Sequence, residues 1–144
     1  MPTNIRHFLH HNDVTGSEGV TNAFQLACVH AHDLNAGQVP FLANKNYIGI
    51  VDSIQVVLTG LAVGATDVTI RLCEDAAGDI IIVPDTTATL ATGLTTSTTG
   101  CAVFKVQTII RQDLGAAGNG TLYLFVKLNS GTATFAGSQI TWQE

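Results

Sequence analysis

Apolar and polar residues alternate along most of this chain with a period of two. From Ile48 to Leu58 the residues Ile48, Ile50, Ile54, Val56 and Leu58 fall on one parity, interrupted only by Asp52. Val68, Ile70 and Leu72 alternate with Thr69, Arg71 and Cys73. Leu122, Leu124, Val126 and Leu128 alternate with Tyr123, Phe125 and Lys127, and Ile140 and Trp142 with Gln139, Thr141 and Gln143. A strand sends successive side chains to opposite faces, so each run predicts a strand with one face in a core and one outside. Phe24, Leu26 and Cys28 give a weaker pattern of the same kind.

Turn residues punctuate these runs. The stretch from Asp75 to Asp79, with Gly78, reads as a short hairpin loop between Val68–Cys73 and Ile80–Val83. A glycine-rich stretch from Gly115 to Gly120 separates two long strands, and Asn129-Ser130-Gly131 opens a last hairpin, with Gly131 free to take positive φ. The threonine-crowded stretch from Thr86 to Thr99 suits a polar edge strand followed by a loop, because a branched Cβ packs on a pleated surface. The pattern amounts to eight to ten strands without a helix. It predicts an all-β fold, an antiparallel β-sandwich of jelly-roll type, in which two sheets share one core. No period of 20–50 residues recurs, which disfavours solenoids and propellers. The 144 residues suit a single domain spanning 1–144, with residues 1–20 expected to hold an extended N-terminal arm.

Composition narrows the partners. Charged residues are only 12% of the chain against about 25% in an average domain, so its surface is expected to be partly covered. The net charge is −5, and Arg6, Lys45, Arg71, Lys105, Arg111 and Lys127 are scattered, so no basic patch for nucleic acid is expected. No apolar run approaches the ~20 residues of a spanning helix, so no membrane partner is expected. Cys28, Cys73 and Cys101 are odd in number and each lies in or beside an apolar run. Three free core thiols in a protein made in a reducing cytoplasm is the expectation.

Candidate chemistry is sparse. His30 and His32 would share one strand face, with Asp33 beside them, and His7, His10 and His11 lie close together. A catalytic metal needs about three protein ligands, and this set does not supply them, so surface or interface histidines are the expectation and no cofactor is assigned. Glu74, Asp75 and Asp79 flank one turn but lack the alternating acids of a calcium loop. Asp75 and Asp79 are instead expected to bond the turn backbone. No Gly-x-Ser-x-Gly elbow or phosphate loop occurs, and Cys28 with His30 lacks a third orienting group, so no catalytic residue is assigned and the chain is not expected to be an enzyme. Trp142, Tyr47 and Tyr123 are few for a sugar platform, and Trp142 shares the parity of Ile140.

The strings from Val68 to Asp75, Gly78 to Asp85, Thr121 to Lys127, Gly131 to Phe135 and Ile140 to Glu144 together resemble the small all-β capsid decoration, or cement, proteins of tailed bacteriophages. The resemblance covers about residues 68–144. It implies a non-catalytic virion protein, assembled in the host cytoplasm, that coats a shell in many copies. Its implied partners are the major capsid protein and copies of itself, as a homotrimer. Low charge with abundant Ala, Thr and Gly allows close contacts with few charges to desolvate. The arm from Met1 to His11 would then reach a neighbour, with Phe8, Leu9, His10 and His11 as its interface residues. The alternative expectation is a receptor- or carbohydrate-binding β-sandwich module of a phage tail or fibre.

Overall fold

The computed structural model describes residues 6–11, 19–31, 46–92, 98–113 and 121–143, and these form ten strands and no helix. In chain order they are β1 (Arg6–His11), β2 (Gly19–Val20), β3 (Gln25–Ala31), β4 (Asn46–Thr59) and β5 (Asp67–Cys73), then β6 (Ile81–Thr89), β7 (Ala91–Thr92), β8 (Gly100–Asp113), β9 (Thr121–Leu128) and β10 (Ala133–Gln143). One sheet runs β1-β10-β4-β8-β7, with β2 also on β10, and the other runs β3-β9-β5-β6. Every pairing is antiparallel, and the two sheets pack face to face as an all-β sandwich.

The period-two runs explain the core directly. In β5 and β9 the residues Val68, Ile70, Leu72, Leu122, Leu124, Val126 and Leu128 are buried, while Thr69, Arg71, Tyr123, Phe125 and Lys127 are half-buried on the outer side. They meet Ile54, Val56, Leu58, Phe104, Phe135 and Ile140 from the six-stranded sheet. Removal of each such side chain from water contributes about 1.5–3 kcal/mol, which is what holds two sheets together without covalent help. Cys28 and Ser138, from opposite sheets, lie 3.2 Å apart between Sγ and Oγ, so these polar atoms meet each other inside the core.

Alternation breaks at one informative place. The sequence parity of β4 puts Ile50 inward and Val51 outward, yet Val51 is fully buried along with Ile54. The reason is a bulge. Against β10, Asp52 is an extra residue between the pairs Trp142↔Val51 and Thr141↔Ser53. Against β8 the same point faces an extra residue of β8, where Gln107 takes φ 50 and its Nε2 donates to Asp52 Oδ1 at 2.7 Å. Asp52, the polar interruption in the apolar run, is therefore where the strand changes face. A bulge of this kind bends the sheet and increases its twist. A second slip lies between Phe135 and Gly137 in β10, so Phe135 and Ile140 both face the core although their numbers differ in parity.

The turns divide into two kinds. Residues between β5 and β6 make a true hairpin, as the sequence suggests, and Gly78 adopts φ 81 there, close over the ring of Phe125. Asn129-Ser130-Gly131 is not a hairpin: β9 and β10 belong to different sheets, so this segment arches between them. It is fastened to the other arch, residues 60–66. Asn129 Oδ1 accepts the N–H groups of Thr66 and Asp67, Ser130 Oγ donates to the carbonyl of Gly64, and the Ala62 N–H donates to the carbonyl of Thr132. The threonine-rich stretch does begin as an edge strand, β6, and residues 93–97 lie outside the described residues. Arg6 to His11 of the expected arm form β1, paired with β10 of the same chain, while residues 1–5 and 12–18 lie outside the described residues.

Gly131 sits at φ 72, and a Cβ built there would lie 2.8 Å from Cβ of Ala62. We expect Gly131→Ala to cost about 2 kcal/mol through left-handed backbone strain plus the clash, measured by denaturant unfolding. A change within 0.3 kcal/mol would show that the two arches are not in contact in solution.

Candidate functional site

The two outer faces of the sandwich differ in chemistry. On the six-stranded sheet, successive rows across β8, β4 and β10 hold Lys105, Ser53 and Thr141, then Val103, Gln55 and Gln139, then Cys101 and Val57 beside Gly137. Val103 is 55% exposed, and the rows around it carry short or uncharged side chains. Lys105 is the one charge in these three rows, with Asp52 at the bulge beyond them. Gln55 Nε2 donates to Cys101 Sγ at 3.3 Å. This face is broad and presents little that water must be stripped from.

The outer face of the four-stranded sheet is charged and internally paired. The Phe24 ring packs against two cations, with Arg71 Cζ 4.4 Å and Lys127 Nζ 4.5 Å from its centroid. Arg71 in turn donates to both carboxylate oxygens of Asp85, from Nε at 2.6 Å and Nη2 at 3.1 Å. Beside this group the hydroxyls of Thr69 and Thr87 are 2.7 Å apart across β5 and β6. Cations on a ring face and a forked guanidinium–carboxylate pair hold the segment before β3 down on the sheet. The hydrogen bond from Arg71 holds the Asp85 carboxyl below the usual carboxylate range, against a smaller opposing effect of desolvation.

The residues singled out from sequence fall as follows. Phe8, Leu9, His10 and His11 occupy β1 at register positions opposite Thr141, Ile140, Gln139 and Ser138. His30 is opposite Leu122 in β3. The side chains of these residues, of His7, Tyr47 and Trp142, and all of His32 and Asp33 lie outside the described residues. Among the described residues no three His, Cys, Asp or Glu side chains come together, and no helix is long and apolar enough to cross a membrane.

Asp75 does serve its turn: its carboxylate accepts the N–H groups of Asp79 and Ile80, and the bond from Ile80 is the main cause holding its carboxyl low. Asp79 takes part through its backbone N–H. The expectation of three core thiols needs correction. Cys28 and Cys73 are buried, but Cys101 faces outward, because Ala102 and Phe104 take the inward positions of β8. Burial pushes the Cys73 thiol up.

The Phe24, Arg71, Lys127 and Asp85 group was not legible in sequence. Its members come from four separate segments, and only the order β3-β9-β5-β6 brings them side by side. The shared outward parity of Arg71 and Lys127 was the available signal, and it is useful only once β5 and β9 are known to be neighbours. Comparison of the chain with protein-family models and with curated proteins gives no match.

Two outcomes are expected. A carboxyl with a lowered folded-state pKa adds stability above its unfolded value, about 3.9, and loses it as pH falls through the lowered one. The melting temperature of Asp85→Asn should therefore lie below that of the unaltered chain at pH 7, and the gap should close as the pH falls below the ordinary carboxylate range and through the lowered folded-state pKa. A gap independent of pH would mean that charge is not what Asp85 contributes. With a thiol reagent under native conditions, Cys101 should react first, and Cys28 and Cys73 only on unfolding.

Proposed function

We propose that this chain is a non-catalytic virion structural protein, assembled in the host cytoplasm, that decorates and stabilises the capsid shell of a tailed bacteriophage. It binds in many copies to the major capsid protein. The strand order β1-β10-β4-β8 facing β3-β9-β5-β6, with most connections crossing between sheets, supports reading the sandwich as a jelly roll. The observation that carries the proposal is the outer face of the six-stranded sheet. Its rows around Gln55, Val57 and Val103 are nearly uncharged, so docking them requires little charge desolvation.

Many weak copies then hold through avidity rather than through a deep pocket. A three-fold grouping of copies follows from the local symmetry of the shell, as a closed heterologous contact. The β1 edge, with Phe8, Leu9, His10 and His11, lies at the margin of this face and flanks the contact. The opposite, charged face points to solvent.

The alternative of a sugar-binding module is less well supported. A platform needs a free aromatic face, but the Phe24 ring already packs against two cations and the Phe125 ring lies under Gly78. Tyr123 is left as the half-buried candidate.

The test is co-sedimentation with undecorated capsid shells of the encoding phage. The unaltered chain should bind to saturation. The double variant Val57→Glu with Val103→Glu, which places two carboxylates in the face, should bind about 100-fold more weakly with an unchanged fold by circular dichroism. Equal binding by the variant would remove this face from the proposal. Absence of shell binding, together with glycan-array binding lost on Tyr123→Ala, would replace the proposal with the sugar-binding reading.

A further inference from the structure

A sheet face is a lattice of side chains, repeating about every 4.8 Å across the strands and about every 6.8 Å along them. On the outer face of β8, β4 and β10 nearly all the lattice points carry short or uncharged side chains. Docked poses displaced by one repeat, or turned end for end, differ little in contact energy on such a surface. Neutral contacts of this kind hold a partner without fixing where it sits.

Lys105 is the exception, and it stands at one corner of these rows. It lies on β8, in the row with Ser53 of β4 and Thr141 of β10, and the other two rows carry no charge. It is exposed, as Val103 is, and Phe104 between them is buried, so both side chains leave the same face. Among the described residues Lys105 has no hydrogen-bond or ion-pair partner. Asp52, next to Ser53 and beyond the row, accepts from Gln107 instead.

We propose, on the reading of this face as the shell contact, that Lys105 fixes the position and orientation of the chain on the shell. Its ammonium donates to a carboxylate of the major capsid protein, set in an otherwise uncharged docking surface. An ammonium covered without a partner loses its hydration and gains nothing in return. Only poses that bring a carboxylate to this corner avoid that loss. The corner is off centre both along and across the strands, so one matching carboxylate separates a single pose from its displaced and reversed alternatives. Charge pairing across an interface acts in this way on register and specificity more than on affinity. The partner's chemistry follows: short neutral side chains opposite Val103 and Gln55, and one Asp or Glu opposite Lys105.

The experiment is co-sedimentation of the full chain with undecorated shells at low and high salt. Lys105→Met, which keeps the length and removes the charge, should bind about tenfold more weakly at low salt, and Lys105→Glu about 100-fold or more. Added salt should weaken the unaltered chain towards the level of Lys105→Met, and should change Lys105→Met much less. Circular dichroism checks that each variant is folded.

Zero-length carbodiimide cross-linking of the complex gives a second readout. One Asp or Glu position of the capsid protein should be joined to Lys105, and changing that residue to Lys should return the binding of Lys105→Glu to within about threefold of the original. Full binding by Lys105→Met would overturn the proposal, since the ammonium would then stay in water at the rim. A link from Lys105 to another copy of this chain, links scattered over many capsid positions, or failure of the exchanged pair would overturn it too. In each of these cases, weakened binding by Val57→Glu with Val103→Glu would leave the shell contact standing. An unaltered chain that binds no shell would overturn both.

Discussion

Everything in this structure depends on the apolar seam between the two sheets. Ile54, Val56, Leu58, Phe104, Phe135 and Ile140 on one side close against Val68, Ile70, Leu72, Leu122, Leu124, Val126 and Leu128 on the other. The strands that supply these residues repeatedly leave one sheet and enter the other, as β4 to β5, β8 to β9 and β9 to β10 do. Neither sheet is a continuous piece of chain, and neither can bury its inner face alone. The seam is therefore the interaction that converts local alternation into a fold.

From that constraint the two outer faces inherit different work. β4, the strand flanked by β10 and β8, carries short polar and apolar residues outward, and its sheet is nearly uncharged there. The four-stranded sheet spends its outward charges on itself, with Arg71 shared between Asp85 and the Phe24 ring and with Lys127 on the same ring. Charges that are already paired offer little to a new partner, whereas an uncharged face gives up little water on docking. The proposed shell contact follows from this contrast and not from any catalytic constellation.

The bulge at Asp52 shows how a single residue serves the whole sheet. It is the extra residue of β4 against β10, and it lies beside the extra residue of β8. The Gln107 amide closes the kink by donating to the Asp52 carboxylate. Without that step Val51 and Ile54 could not both lie in the core. A register change of one residue reverses every later side chain, so this point sets which face of β4 becomes surface.

The sequence by itself determined strands β3, β4, β5, β6, β9 and β10, the buried parity of β5 and β9, the hairpin at Asp75 to Asp79 and the positive φ of Gly131. These are local properties, since alternation and turn chemistry are written in neighbouring residues. Only the tertiary structure decided which turns are hairpins and which are arches, because Asn129-Ser130-Gly131 carries the same turn residues either way. It also turned Cys101 outward, flipped β4 at Asp52 and gathered Phe24, Arg71, Lys127 and Asp85 from four segments. The physical reason is that strand partners are chosen by burial across long stretches of chain, and no local pattern records which strand will lie alongside.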